Sequence, residues 1–290
     1  MTSLTRRGPY HSKARPLELN IMSPPTVTRP QAGALTQSDL ERYREDGYVV
    51  PDFRFSSGAV EQLGAELMLL NDATPELRNI ALTNPHLRPS PVDGRYGKLL
   101  PYCLDPGLLD LVEAIEGPDL LLWTTDLFHR PAGHGVPTAW HQDDEYWPIE
   151  PMGATTAWVA ITPCRKANGC LRVIPGSHRR RALHRVDDSG AFPRNLDPDS
   201  FDEADAVDVE LEPGQLMLFH ALLVHGSWPN TSSQPRTGLT MRFIPSTSFF
   251  DHDAGVESGQ AYWTDYALYL ARGVNRCERN DLMRNKLPAA

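Results

Sequence analysis

Asn168-Gly169-Cys170-Leu171-Arg172-Val173-Ile174-Pro175-Gly176 places a short apolar, β-branched run between an asparagine–glycine turn and a proline–glycine turn. Such a run, closed at both ends by turn chemistry, reads as a strand. The same texture continues on both sides. Residues 120–128, 155–161, 207–211, 215–220 and 238–244 are further strand candidates, and Glu212-Pro213-Gly214 is another turn. Several short strands separated by turns predict a mainly β (α+β) fold, a β-sandwich or jelly roll. No internal repeat accompanies them.

The helical signals all lie earlier in the chain. Thr36 or Ser38 is suited to N-cap a helix over 39–46 that stops at Gly47. A second helix over 58–70 carries Val60, Leu63, Leu67 and Leu70 on one face. Asp105-Pro106 opens a third, with Leu108, Leu111, Val112 and Ile115 inward and Gly117 at its end. These helices are expected on the outside of one sheet. Residues 1–35, rich in Pro, Arg, Ser and Thr, read as a flexible leader, and 36–290 as a single domain. Residues 72–95 read as loop, and 176–206 as a long polar lid loop. Aromatic and leucine residues over 261–270 suit a packed helix, and 280–290 reads as a frayed end.

Of the 290 residues 40% are hydrophobic, enough for a core, and the net charge of −9 argues against a nucleic-acid-binding surface. The four cysteines, Cys103, Cys164, Cys170 and Cys277, match neither a zinc site nor a disulfide scaffold and read as reduced thiols. No apolar run approaches the ~18 residues of a membrane span, and the N-terminus lacks a signal-peptide core. The expectation is a soluble, cytoplasmic protein without a membrane partner, either a monomer or a homodimer.

The chemistry centres on Ala139-Trp140-His141-Gln142-Asp143-Asp144-Glu145-Tyr146-Trp147-Pro148. At a strand or its end, residues 141 and 143 share a face. An imidazole and a carboxylate so placed are two of the three ligands of a facial triad, which leaves positions open on ferrous iron. The bland alternative is a polar loop that happens to contain a histidine. His225, closing the apolar run Leu222-Leu223-Val224 before Gly226-Ser227, is the candidate third ligand, and the competing reading is a core histidine. Arg236 follows eleven residues later (236 − 225 = 11). A guanidinium forks onto both oxygens of a carboxylate and suits the far end of a chelating diacid. His220, at an odd offset from His225, is expected to face away, and Asp144 to point away from Asp143.

These pieces together resemble the phytanoyl-CoA dioxygenase family of Fe(II)/2-oxoglutarate-dependent oxygenases, over about 46–244. The resemblance rests on Asp46-Gly47-Tyr48-Val49-Val50, His141-Gln142-Asp143 with Tyr146-Trp147-Pro148, Ala157-Trp158, Asn168-Gly169 through Pro175-Gly176-Ser177-His178, Pro213-Gly214, and His225-Gly226-Ser227-Trp228-Pro229-Asn230 through Arg236. It implies a double-stranded β-helix (cupin-like jelly roll) with Fe(II) as metal and 2-oxoglutarate and O2 as cosubstrates. His141, Asp143 and His225 match the metal ligands and catalytic centre. Arg236 matches the anchor of the distal 2-oxoglutarate carboxylate, with Ser227 assisting, while Gln142 and Trp158 match the walls of that pocket. Lys98 resembles an upstream lysine that reaches it. Tyr146, Trp147 and Arg242 are candidates for substrate contact. Halogenating relatives carry a small residue where Asp143 stands, so hydroxylation is favoured here.

The expected activity is oxidation, as hydroxylation of an unactivated C–H in a small metabolite, in natural-product or amino-acid tailoring, with release of succinate and CO2. The alternatives are desaturation, cyclisation or epimerisation by the same chemistry, action on an acyl-CoA, for which Arg179–Arg181 is the candidate basic cluster, or a non-redox metal isomerase or hydrolase.

Overall fold

Alternate residues of the central strands face two different cores, and that sorting builds the fold. The structure, a computed structural model, describes residues 34–75, 81–133, 136–145, 147–182, 184–186, 194–258 and 262–284. All but the last two residues of the expected leader, and Tyr146, lie outside the described residues. Leu35, at the leader's end, is buried in the main core.

Four α-helices come first: α1 (Gln37–Asp46), α2 (Ser57–Ala73), α3 (Leu100–Cys103) and α4 (Pro106–Glu116). Thr36 caps α1 with a reciprocal Thr36–Asp39 box, and Gly47 ends it in the left-handed region. Asp105 caps α4 by accepting from the Leu108 amide. The strands, in chain order, are β1 (Tyr48–Val49), β2 (Leu82–Thr83), β3 (Leu120–Arg130), β4 (Thr138–His141) and β5 (Ile149–Glu150). Then come β6 (Thr155–Ala160), β7 (Leu171–Val173), β8 (His184–Val186), β9 (Arg194–Leu196) and β10 (Val207–Val209). The last are β11 (Leu216–His220), β12 (His225–Ser227), β13 (Arg236–Pro245), β14 (Phe249–Phe250) and β15 (Tyr269–Arg272).

Among the described residues, one antiparallel sheet runs β1-β11-β6-β13-β3-β15, with β2 also on β3, and a second runs β10-β7-β12-β4. Ala157 and Val159 of β6, Leu216 and Leu218 of β11 and Leu239 and Met241 of β13 pack outward. They meet Val60, Leu63 and Leu67 of α2 and Leu108, Leu111 and Val112 of α4. Each fully buried aliphatic side chain on this face contributes about 1.5–3 kcal/mol. The alternating set, Trp158, Ala160, Met217 and Phe219, turns inward to Val173 of β7 and Val209 of β10. Two sheets with a shared interior and helices on one outer face make the jelly roll that the sequence predicts.

Two local expectations need correction. The C-terminal stretch forms no helix among the described residues; 262–265 is a turn and Tyr269–Arg272 is a strand. Tyr269 and Leu270 pair with Leu122 and Leu121, so the open edge of β3 captures the segment. Tyr269 is buried while Leu270 is 41% exposed, the alternation of a strand. The segment 176–206 is not plain loop either: β8 and β9 form a two-stranded hairpin within it, although 183 and 187–193 lie outside the described residues. No helix among the described residues is long and apolar enough to cross a membrane.

Candidate metal and cosubstrate site

The last residue of β4 and the first of β12 face each other across the smaller sheet, and both are histidines. His141 and His225 are direct partners in the β4–β12 register, with ring centroids 4.2 Å apart. Beyond His141 the strand stops and Asp143–Glu145 turns as a short 3-10 helix. The turn is pinned by the Asp143 amide donating to the Ala221 carbonyl at 3.0 Å. This brings Asp143 Oδ1 to 3.6 Å from His141 Nε2. One ligand atom from each of His141, Asp143 and His225 lies within 4.8 Å of the others, and all three residues are buried. Asp144 leaves this centre because of the turn rather than strand alternation, and its carboxylate pairs with Arg181.

The imidazoles are set up as ligands by backbone carbonyls. His141 Nδ1 donates to Ala139 O and His225 Nδ1 donates to Leu223 O, each at 2.9 Å. A carbonyl accepts only, so the proton stays on Nδ1 and Nε2 carries the lone pair a metal needs. Burial, with His141 adding to it, lowers His225 to about 4, which keeps it neutral at ordinary pH. Burial works against the charge on Asp143, but Arg242 and the two imidazoles outweigh it and hold the carboxyl below its usual range. The donor set of two imidazole nitrogens and one carboxylate on one face fits divalent iron with open positions.

A cavity of about 320 Å³ opens onto the triad. At one end stand Arg236, Ser227 and Trp158. Arg236 is 2% exposed; its Nε donates to Gly169 O at 2.9 Å, and its guanidinium lies 5.5 Å from the Trp158 ring centre. No carboxylate pairs with it among the described residues, and burial lowers its pKa. Ser227 Oγ is buried and has no hydrogen-bond partner among the described residues. A buried cation and an orphaned hydroxyl on adjacent segments of one cavity fit the far carboxylate of 2-oxoglutarate. Two glycines shape this end. Gly169 has φ +87°, and a Cβ there would meet Trp228 O at 2.6 Å; a Cβ on Gly238 would sit 2.0 Å from the Trp158 ring.

The other end is walled by Trp123, Trp147, Trp263 and Tyr266. Arg242 pairs there with Asp126 and lies 5.2 Å from the Trp147 ring centre. Its Nε stands 3.7 Å from Asp143 Oδ2, and neither atom has a hydrogen-bond partner among the described residues. Arg242 therefore neutralises two carboxylates, and they in turn raise its pKa despite burial.

Of the residues expected at the site, His141, Asp143, His225, Arg236, Ser227, Trp158, Trp147 and Arg242 line this one cavity. Two expected residues do not. Gln142, fully buried, turns away from the cavity: its amide nitrogen donates to Arg180 O and Leu222 O at 2.9 and 2.6 Å, and its oxygen accepts from the Ala182 amide at 2.8 Å. It straps the 180–182 segment over the metal turn, because the residue between two inward ligands faces the opposite way. Lys98 is held elsewhere by Asp93 at 3.0 Å, Ser90 at 2.9 Å and Glu66 at 3.6 Å. His220 belongs to β11, not to the strand of His225, and its ring lies 5.6 Å from that of His178. The sequence reading missed Trp123, Asp126, Trp263 and Tyr266. Strand alternation gave a signal for Asp126, since Thr124, Asp126 and Phe128 share the cavity face of β3.

Comparison with known proteins agrees with this geometry. Residues 43–238 match the phytanoyl-CoA dioxygenase (PhyH) family. A probable phytanoyl-CoA dioxygenase of Caenorhabditis elegans is 30% identical over 168 residues, 50% of this chain and 50% of the relative. The chain thus spans about half the length of that curated relative. Among solved structures, the apo form of the non-heme monooxygenase ThoJ is similar with a TM-score of 0.65 and 31% identity, over 81% of this chain and 84% of the other. The epimerase SnoN, solved with Fe3+, α-ketoglutarate and nogalamycin RO, shares the fold at a TM-score of 0.60 and 22% identity, over 88% and 95% of the two chains. That epimerase structure holds iron and α-ketoglutarate in this fold, and the present chain brings together a His–Asp–His triad. The chain belongs to the phytanoyl-CoA dioxygenase family.

Proposed function

We propose that this protein is an Fe(II)- and 2-oxoglutarate-dependent oxidoreductase that hydroxylates an unactivated C–H of a small metabolite, in natural-product or amino-acid tailoring. The observation that carries the reading is the meeting, in one cavity, of the His141–Asp143–His225 triad and the buried Arg236, which pairs with no carboxylate among the described residues. When bound, the iron with 2-oxoglutarate supplies the oxidising chemistry: 2-oxoglutarate and O2 become succinate and CO2, and one oxygen atom enters the substrate C–H bond.

The chain's own residues do the rest. His141, Asp143 and His225 would hold the metal, a donor set that suits iron with open positions. Arg236, backed by Trp158 and helped by Ser227 Oγ, fixes the far carboxylate and so the orientation of the keto acid. Arg242 stands against Asp143 Oδ2, the oxygen turned away from His141, and neutralises the carboxylate that would help hold the metal. The apolar walls exclude bulk water from the reacting carbon. Trp147 and Arg242 face the substrate. We assign no part in cosubstrate binding to Gln142 or Lys98. The acidic chain, with no span-forming helix among its described residues, is read as a cytoplasmic enzyme of a small molecule, without nucleic-acid or membrane partners, working as a monomer or homodimer.

The test is anaerobic titration of the protein with Fe(II) and 2-oxoglutarate, watching for the visible charge-transfer band of the chelate. The parent should give the band, Arg236→Ala should need far more 2-oxoglutarate, and Asp143→Ala should bind iron poorly. A parent that gives no band and retains stoichiometric zinc or manganese would replace this reading with a non-redox metal enzyme.

A further inference from the structure

On the reading just given, the substrate's target carbon enters at the end of the cavity opposite Arg236, and that end is made of rings. Arg236 and Arg242 lie six residues apart on β13 (242 − 236 = 6), ~20 Å by strand rise. At Arg242 the β13–β3 register breaks: Arg242 faces Thr124 while Phe243 faces Leu122, so Trp123 is the extra residue of a bulge. A bulge re-aims side chains, and here Trp123 and Thr124, neighbours in sequence, both line the cavity.

The indole of Trp123 meets Trp147 edge-on with centroids 4.9 Å apart and stacks on Tyr266 at 5.9 Å; Trp263 and Tyr266 are 5.0 Å apart. Phe250 backs the group, 5.4 Å from Trp123. Interlocked rings of this kind hold one another's orientation. They present fixed faces and edges, the surfaces that favour offset-stacked or edge-on contact with another ring. The formal charges at this end are closed within the wall, since Arg242 and Asp126 pair with each other. The whole cavity, about 320 Å³, stands at the low end of the ~300–1,000 Å³ usual for ligand sites. It must also hold 2-oxoglutarate, so the space left at the end walled by Trp123, Trp147, Trp263 and Tyr266 suits a compact group.

We propose that the substrate presents a planar, ring-sized group to the metal, an aromatic or heteroaromatic ring or its flat equivalent, and not an acyl chain. The ring-walled chamber thereby separates this protein from relatives whose names specify a phytanoyl thioester. Recognition is through π faces, so a neutral ring and a cationic ring are two forms of the same ligand chemistry.

The full-length protein loaded with Zn(II) and 2-oxoglutarate is titrated with indole, phenyltrimethylammonium, hexan-1-ol and octanoyl-CoA, and binding is read by saturation-transfer NMR. Indole should bind about tenfold more tightly than hexan-1-ol. Trp263→Leu should cost about that factor, and Trp263→Phe should keep most of it. Phenyltrimethylammonium binding as tightly as indole also supports the proposal and assigns a cationic ring. Hexan-1-ol or octanoyl-CoA binding as tightly as indole, or indole binding unaffected by Trp263→Leu, would overturn it. The anaerobic Fe(II)–2-oxoglutarate band of the parent is recorded alongside. Its absence defeats the oxygenase reading, whereas its presence without ring preference defeats only the chamber's proposed selectivity.

Discussion

The variant Arg236→Met removes a guanidinium that is 2% exposed and meets no carboxylate among the described residues. Taking such an ion out of water costs several kcal/mol even after relaxation. The protein returns part of this. The charged hydrogen bond to Gly169 O is worth about 1.5–3 kcal/mol, and the approach to the Trp158 ring up to about 2 kcal/mol. The balance leaves the metal-free protein strained by roughly 1–2 kcal/mol at this position. An apolar side chain of similar length removes that strain, so the variant should melt about 2–6 °C higher than the parent in the absence of cosubstrate. The cosubstrate should tell the opposite story. Losing one partner of a desolvated charge pair costs about 2–5 kcal/mol, which lowers 2-oxoglutarate affinity by about 30-fold to several thousand-fold. Thermal melts with and without Zn(II) and 2-oxoglutarate read both effects in one experiment, because a ligand that binds only the folded state raises the melting temperature. A variant that melts lower than the parent, yet gains as much as the parent from 2-oxoglutarate, would refute the view that Arg236 is buried for the sake of a bound carboxylate.

Arg242→Met should weaken metal binding about 10–100-fold, because it removes the side chain that stands against Asp143 Oδ2 and is itself fixed by Asp126, so that the ligand carboxylate loses its orientation; Zn(II) calorimetry checks this, and unchanged affinity would remove Arg242 from the support of the ligand. Gly238→Ala places a methyl 2.0 Å from the Trp158 ring, so it should cost at least about 1–3 kcal/mol in stability and loosen 2-oxoglutarate; a parent-like melting curve and parent-like cosubstrate affinity would contradict so tight a floor. Burial lowers His86 to about 3, and burial with His178 nearby lowers His220 to about 4. The unfolded chain then takes up protons first as pH falls below about 6.5, so stability of the metal-free protein should be full above that pH and decline towards pH 4. Urea melts across this range measure it, and His86→Gln should flatten the decline; a parent curve that rises on acidification would reverse that sign.

The features legible in the sequence are the ones that are local in the chain. The capping residues of α1 and α4, the apolar stripes of α2 and α4 and the alternation within β6, β11 and β13 follow from neighbours a few positions apart, and the described structure keeps them. The triad is legible for the same reason. His141 and Asp143 come together at the strand end, and the family-like run from His225 to Arg236 brings both of those residues to the same cavity. Sequence reasoning fails where a decision lies with a distant partner. Residues 261–270 have helix-compatible residues, but the exposed edge of β3 offers backbone hydrogen bonds that only a strand can take. Lys98 has the right type and lies in a motif-like setting, yet Asp93, Ser90 and Glu66 claim its ammonium.

The sequence by itself determined the alternation of inward and outward residues, the helix ends, and the side-chain types at the triad and at position 236. These depend on spacing, and spacing is fixed by the geometry of the peptide chain. Only the tertiary structure decided which inward faces meet. Arg242 reaches Asp126 across 116 residues of sequence. The bulge at Trp123 and the arrival of Trp263 and Tyr266 turn one end of the cavity into a ring-walled chamber. A period of two tells a side chain which face to take, but strand pairing selects the neighbours that share it, and that choice is made by the packing of the whole fold.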